Sequence, residues 1–372
     1  MTKNIKIVLA AIIVIIVVAG GYTMSKKDAS VEQGGAVLKI GVVLPLSGPF
    51  AEYGDAVKNG IVLAQKEATK NNNVEFIFED GQYDSKISLS AYTKLATIDK
   101  VQAVYVFGDG PNQAVAPIVK DFKDTVLLAE SSLGSLTAQD SNILRTSERP
   151  EELAKKAWEQ LRKLKLKKIA IVKTQNQYLN MLFDSMKSQA QDGESVVLVG
   201  DIQMWNETNF RTTLTKIKGS REGYDAIGVY LFGGQIGQFY KQMGELKMTQ
   251  QTFGTDFFES QSDIEVAGKL MDGAFYAHFD VSPEFKTRVA AQFGTINQVA
   301  YTGNGYDVAR MIIEGKGLSN GQSILDYFKT IDGYEGVLGA YTYATSAVDG
   351  DRYFKIPVHI KEIRNGKIET LN

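Results

Sequence analysis

Short apolar runs alternate with amphipathic segments along most of the chain. The first run covers residues 38–44, and Pro45 ends it. From Ala56 to Ala64, apolar residues recur at the three- and four-residue spacing of a helix, which we predict to reach about Asn71. Further apolar runs lie at 74–78, 103–107, 126–129, 169–172, 196–200, 226–232 and 273–277. Strands that alternate with helices in this way predict βαβ units on parallel sheets.

The alternation stops at the irregular stretch 145–150 and then starts again. Pro150, followed by Glu151 and Glu152, is typical of a helix start. A proline loses no hydrogen bond in the first turn, and acidic side chains favour the positive end of the helix dipole. We therefore predict an α/β fold with two doubly wound, Rossmann-like lobes rather than one larger sheet.

The N-terminus has the pattern of an export signal. Lys3 and Lys6 precede an apolar run without charges, and Lys26 and Lys27 follow it. The 18 uncharged residues at 7–24 are at the short end of what spans a bilayer, and no A-x-A cleavage site follows them. We predict that residues 1–27 are a signal peptide or an N-terminal membrane anchor, that 28–36 are a linker, and that the rest is exported to the periplasm or cell surface.

Charge and composition exclude several classes of function. The chain has 372 residues and a formal net charge of −2 without a basic cluster, so nucleic acid is not expected as a partner. Cysteine is absent, which excludes disulfides, thiolate metal sites and thiol nucleophiles. The two histidines, His278 and His359, stand in no metal-ligand spacing. We predict that the protein is not an enzyme and has no cofactor.

The loop after the first strand carries the first family signal. It contains the turn Leu46-Ser47-Gly48-Pro49, the pair Tyr53-Gly54 and then Asn59-Gly60 on the following helix. Residues 39–60 thereby resemble the N-terminal signature of the type I periplasmic solute-binding proteins, specifically the branched-chain amino-acid-binding family of ABC importers. Similar matches in the same order lie at 116–118, 130–132, 209–218, 301–308 and 334–339.

This resemblance implies two lobes that enclose one small solute by hinge closure. The three expected chain crossings fall near 145–150, 278–282 and 336–340. Lobe one is then 37–148 plus 280–336, and lobe two is 149–279 plus 337–365. The implied partners are a small amino-acid-like or amide ligand and an ABC permease in the membrane, and we expect the protein to act as a monomer.

The resemblance also assigns ligand contacts to individual positions. Tyr53 is expected at the aromatic wall, and the hydroxyl and N–H groups of Ser131 and Ser132 are expected to hold a solute carboxylate. On lobe two, Tyr178 is expected over the solute and Asp256 beside its ammonium group. The full predicted set is Tyr53, Asp109, Gly110, Ser131, Ser132, Tyr178, Gln235 and Asp256.

Asp109 departs from the family pattern, because a hydroxyl is expected near this position. A carboxylate beside a ligand carboxylate is repulsive. Three interpretations stay open: Asp109 faces the cleft and selects a cationic or amide solute, it caps the helix that starts near Pro111, or Gly110 presents only its N–H to the solute.

Two other functions remain as alternatives. A ligand-sensing module with the same fold would report the solute to a membrane partner. A nucleotide-dependent enzyme is a weaker alternative, because Gly303-x-Gly305 lies within a helical pattern and the glycines at 233–237 have no ribose-binding acid about 20 residues later.

Overall fold

The computed structural model describes residues 37–68, 73–134, 136–147, 149–294, 296–318 and 323–371. The predicted signal or anchor at 1–27 and the linker at 28–36 lie outside these residues. Among the helices that the structure describes, none combines the length and the apolar character that a membrane span needs.

The helices follow the amphipathic segments of the sequence. In chain order they are α1 (Ala51–Glu67), α2 (Ser85–Lys94), α3 (Asp109–Val115), α4 (Pro150–Lys163), α5 (Gln177–Ser188), α6 (Arg211–Lys218), α7 (Ile236–Glu245), α8 (Gln261–Ala267), α9 (Pro283–Phe293), α10 (Val299–Leu318) and α11 (Ile324–Phe328). Short 3₁₀ or π turns extend or join several of them.

Eight of the strands lie where the short apolar runs predict them. In chain order, the strands are β1 (Leu38–Leu44), β2 (Val74–Asp80), β3 (Ala103–Phe107), β4 (Val126–Glu130), β5 (Ile143–Arg145), β6 (Lys168–Thr174), β7 (Ser195–Ile202), β8 (Ala226–Tyr230), β9 (Gln251–Gly254), β10 (Phe275–His278), β11 (Asp332–Gly336), β12 (Gly339–Thr345), β13 (Arg352–Lys355), β14 (His359–Arg364) and β15 (Lys367–Leu371). The runs do not predict β5, β9 and the strands near the C-terminus.

These strands form two separate sheets within the described residues. The first has the order β11-β12-β13-β5-β4-β3-β1-β2, and the second has the order β15-β14-β10-β9-β8-β6-β7. The central strands of both sheets are parallel, and antiparallel strands occupy one edge of each. Every residue of β3, β4 and β8 is buried, as expected for parallel strands covered by helices on both faces. The predicted two-lobed α/β fold is confirmed.

The chain passes between the two sheets at 146–149, 279–282 and 356–358. The predicted third crossing near 336–340 is wrong, because β12 and β13 remain in the first sheet. Tyr341 and Phe354 bury their rings in the first core, and Tyr353 pairs with Arg145 of β5. Arg145 also forms an ion pair of 2.8 Å with Asp351, and both side chains are fully buried. Strand β15 extends the second sheet past the predicted end at 365.

Two helices of the first lobe approach each other very closely. A Cβ on Gly60 of α1 would overlap the carbonyl oxygen of Thr302, and a Cβ on Gly305 of α10 would overlap the carbonyl oxygen of Val57. Glycine is therefore required on both sides of this contact. The close packing brings the N-terminal turns of α1 and α10, and the tyrosines they carry, to the same end of the first sheet.

Burial and hydrogen bonding shift the pKa values of two buried carboxyl groups in opposite directions. Glu259 of lobe two accepts hydrogen bonds from Lys361 Nζ at 2.8 Å and from the Tyr276 hydroxyl at 3.0 Å. Burial alone would raise the pKa of Glu259, but the charges and hydrogen bonds of Lys361 and His278 together outweigh it and hold that pKa well below its usual range. Asp307 of α10 accepts from the backbone N–H groups of residues 337 and 338, and burial raises the pKa of Asp307 to about 6.

Candidate functional site

A cavity of about 70 Å³ lies between the two lobes, where the carboxyl ends of parallel strands from both sheets meet. Open α/β sheets bind ligands at this end. The lining residues from lobe one and the first crossing are Phe50, Tyr53, Tyr83, Phe107, Gly108, Asp109, Glu130, Ser131, Ser132, Ser147 and Tyr301. Those from lobe two are Asn176, Tyr178, Phe232 and Phe257. The cavity thus combines residues that are far apart in the sequence.

Aromatic rings form most of the cavity wall. Eight of the fifteen lining residues are Phe or Tyr. The ring of Tyr53 lies 5.3 Å from that of Tyr301 in the same lobe. It lies 6.5 Å from the ring of Phe257 in lobe two, so the Tyr53–Phe257 contact joins the two lobes. Burial raises the pKa of the Tyr53 hydroxyl well above its ordinary value, and the phenol is therefore neutral at physiological pH.

One end of the cavity is polar, and Asp109 is its centre. The Asp109 carboxylate accepts hydrogen bonds from the Ser131 hydroxyl at 2.8 Å and from the Ser132 backbone N–H at 2.8 Å. Its second oxygen accepts from the Ser132 hydroxyl at 2.7 Å. The donors that the family resemblance assigns to a solute carboxylate therefore bind a carboxylate of the protein itself.

This geometry decides between the three interpretations of Asp109. Helix α3 begins at Asp109, and its side chain bonds to the loop after β4 rather than to the helix, so the capping interpretation is wrong. Gly110 is not among the lining residues, and a Cβ there would lie 3.2 Å from Ser85 Oγ of α2. Gly110 therefore faces the neighbouring helix, and Asp109 is the residue that faces the cleft.

Glu130 adds a second carboxylate to this end of the cavity. It is the last residue of β4 and is 8% exposed, close to the 7% of Asp109. Ser147 binds the backbone of Ser131 through its hydroxyl, which donates to the carbonyl oxygen at 2.7 Å and accepts from the N–H at 3.0 Å. None of the described residues that line the cavity is Lys, Arg or His.

Asp256 lies behind the aromatic wall rather than on the cavity surface. It is 2% exposed and accepts hydrogen bonds from the hydroxyls of Tyr178 at 3.2 Å and Tyr301 at 3.0 Å. Burial raises the pKa of Asp256 above its usual value. Because Tyr301 belongs to lobe one and Asp256 to lobe two, this hydrogen bond spans the cleft.

Gln235 is also away from the cavity. Its side chain is 1% exposed, and the oxygen accepts from the Thr174 hydroxyl at 2.7 Å while the nitrogen donates to the Glu207 carbonyl at 2.8 Å. All of these partners belong to lobe two. Gln235 therefore holds loops of its own lobe together, and the structure groups Tyr53, Asp109, Ser131, Ser132 and Tyr178 at the cavity without it.

Several lining residues are absent from the predicted set. Phe107 and Glu130 end β3 and β4, so the rule that ligands bind at strand carboxyl ends already indicates them. Tyr83 follows β2 in a left-handed conformation with φ of 57°. Phe257 and Tyr301 come from a loop and a helix start, and their convergence on the cavity depends on how the lobes pack.

A larger cavity of about 330 Å³ lies beside the hinge, between α4 and the segment that follows β13. Its walls carry charges of both signs from Arg149, Glu152, Lys155 and Lys156. It contains no predicted site residue, so the interlobe cleft is the better candidate. No group of three or more potential metal ligands occurs among the residues that the structure describes.

Known proteins resemble this chain in both sequence and fold. A family model described as "Periplasmic binding protein" matches residues 37–352. A Leu/Ile/Val-binding protein of Rhizobium johnstonii is 27% identical over 305 residues, which cover 75% of this chain and 79% of the relative. An ABC transporter substrate-binding protein from Sphaerobacter thermophilus has a TM-score of 0.79 at 18% identity, covering 90% of this chain and 96% of that one.

A further structural match was solved with a ligand. It is the branched-chain amino acid transporter substrate-binding protein of Streptococcus pneumoniae in complex with isoleucine, with a TM-score of 0.74 at 21% identity, covering 90% of this chain and 99% of that one. The family model spans most of the chain, and the two lobes and their cleft agree with it. The chain therefore belongs to the periplasmic binding protein family, as a two-lobed type I member related to the Leu/Ile/Val-binding proteins.

Proposed function

We propose that the protein is the extracytoplasmic solute-binding component of an ABC importer, which encloses a small molecule between its lobes. The observation that supports this most is the interlobe cavity, which takes lining residues from both lobes and is bridged by the hydrogen bond from Tyr301 to Asp256. Ligand that contacts both lobes stabilises the closed form, which the permease then recognises. The protein acts as a monomer and catalyses no reaction in this role.

Closure can be measured in the full chain because the sequence contains no cysteine. Exposed residues Ile98 in lobe one and Leu270 in lobe two can be replaced by cysteine and labelled for energy transfer. We expect the two dyes to approach when the solute is added from a panel of amino acids, amides, amines and organic acids. A panel in which no compound changes the transfer efficiency would contradict solute binding.

Uptake separates transport from sensing. Cells that lack this protein should lose high-affinity uptake of the solute identified in the closure assay, and plasmid-borne protein should restore it. Unchanged uptake together with a lost transcriptional response would instead support the sensing role.

A further inference from the structure

The charged residues that line the interlobe cavity are both acidic. Asp109 and Glu130 are the charged residues among the described lining residues, and each is more than nine-tenths buried. The nearby Arg145 lies outside the lining, is fully buried and is paired with Asp351. A ligand group that enters this end therefore meets negative charge at a site where water screens it little.

Three hydrogen-bond donors at this end are already used by Asp109. Both serine hydroxyls and the Ser132 N–H donate to Asp109. A carboxylate of a ligand would have to displace Asp109 from these three donors and would then lie beside its charge. A carboxylate has about four acceptor sites, so Asp109 can still accept a hydrogen bond from a donor on the ligand. The polar end of the cleft thus opposes an anion and favours a positively charged donor.

The rest of the wall agrees with this preference. Aromatic faces attract cations, most strongly where water is excluded, and eight rings line the cavity. Asp256 adds negative charge behind two of these rings, since it accepts from the hydroxyls of Tyr178 and Tyr301. An aromatic enclosure with carboxylates at one end is the environment that an organic ammonium ion requires.

We infer that the cleft binds a small organic ammonium ion that carries no carboxylate at the Asp109 end, rather than a zwitterionic amino acid or an organic acid. This inference rests on the proposed solute-binding function and adds the chemical class of the solute. Asp109 and Glu130 provide the charge, and the aromatic residues enclose the alkyl part.

Four compounds that share a 3-methylbutyl skeleton and differ in charge test the inference. The compounds are 3-methylbutylammonium, the neutral 3-methylbutan-1-ol, the anion 4-methylpentanoate and the zwitterion leucine, each titrated calorimetrically into the full chain. We expect the ammonium ion to bind at least about tenfold more tightly than each of the other three. Tighter binding of leucine or 4-methylpentanoate would refute the inference and leave solute binding intact. Absence of binding by all four at about 10 mM would count against both proposals.

Two variants assign the preference to the carboxylates. Asp109→Asn and Glu130→Gln should each weaken binding of the ammonium ion by at least about tenfold, and should weaken binding of the alcohol by a smaller factor. Asp263→Asn is the matched control, because Asp263 is equally buried and accepts from backbone N–H groups and a serine, but lies outside the cavity. An ammonium affinity that is unchanged in both Asp109→Asn and Glu130→Gln, with thermal unfolding like that of the parent, would overturn the assignment.

Discussion

The hydrogen bond between Tyr301 and Asp256 should set the balance between open and closed lobes in the absence of ligand. It joins α10 of lobe one to the loop after β9 in lobe two, at 3.0 Å and with the acceptor 2% exposed. Opening the cleft exposes both groups to water. Tyr301→Phe removes the bond and leaves the aromatic ring in place, so its effect reports the hydrogen bond alone.

The size of the effect follows from the burial and charge of the acceptor. A hydrogen bond to a charged group contributes about 1.5–3 kcal/mol, and each 1.4 kcal/mol is about a tenfold change in an equilibrium constant. Tyr301→Phe should therefore lower the ratio of closed to open molecules by about ten- to a hundredfold. Tyr178→Phe is the matched control, since it removes a bond of 3.2 Å to the same carboxylate, but within lobe two. The Tyr178–Asp256 bond is present in both the open and the closed form, so its loss should not change the ratio of the two forms.

Energy transfer between labels at Ile98→Cys and Leu270→Cys measures this balance directly in ligand-free protein. We expect lower transfer efficiency for Tyr301→Phe than for the parent, and little change for Tyr178→Phe. If the two phenylalanine variants shift the efficiency equally, the reasoning is wrong, because the carboxylate would then matter through the stability of its own loop. Unchanged efficiency in both variants would show that this bond does not hold the lobes together.

Three further predictions concern stability and are read from chemical unfolding. Gly60→Ala should destabilise the protein by about 1–3 kcal/mol through overlap with the backbone of α10, whereas Gly134→Ala, whose new methyl group has its nearest neighbour 3.9 Å away, should change stability little. Glu259→Gln should cost about 3–5 kcal/mol at pH 7, because it removes the carboxylate 2.8 Å from the buried Lys361 ammonium and leaves only Asp280 among the described residues as an acidic partner, at 3.9 Å. Since the pKa of Glu259 is lowered on folding, this difference should be full above about pH 4.3 and shrink as the pH falls further. Asp307 has its pKa raised to about 6, so the folded state keeps a proton that the unfolded state loses near pH 3.9, and stability should fall by about 3 kcal/mol as the pH rises between these values. In Asp307→Asn this part of the pH dependence should be absent, and a pH profile like that of the parent would refute the assignment.

Much of the fold could be predicted from local patterns. The buried parallel strands are continuous apolar runs, and the observed β3 at 103–107 coincides with its predicted range. The C-terminal region could not be assigned in this way. Strands β12 and β13 are only partly buried, so periodicity does not tell which sheet they join. Their place is decided by the pairing of Tyr353 with Arg145 and by the buried Arg145–Asp351 ion pair, which are long-range contacts.

The candidate site, too, could be predicted only in part from the sequence. Tyr53, Ser131 and Ser132, which the family resemblance assigns to the site, line the cavity, and their contacts with a solute stay a prediction. The role of Asp109 needed three-dimensional information, because a carboxylate at a helix start is compatible with a cap, and only the position of the loop after β4 shows which donors it uses. Gln235 follows two glycines near a strand end, yet its amide groups are used within lobe two.

The late return of the chain to the first sheet constrains the order in which the protein can fold during synthesis. Strand β5 is flanked by β4, made just before it, and by β13, whose residues follow about 200 positions later. Until residues 351–355 leave the ribosome, β5 is an open edge and Arg145 lacks its counterion Asp351. The first sheet therefore cannot be completed before β13 is made, even though its central strands are made early. The connectivity of the chain thus postpones completion of the first sheet, and formation of the buried Arg145–Asp351 ion pair, until residue 355 has been made.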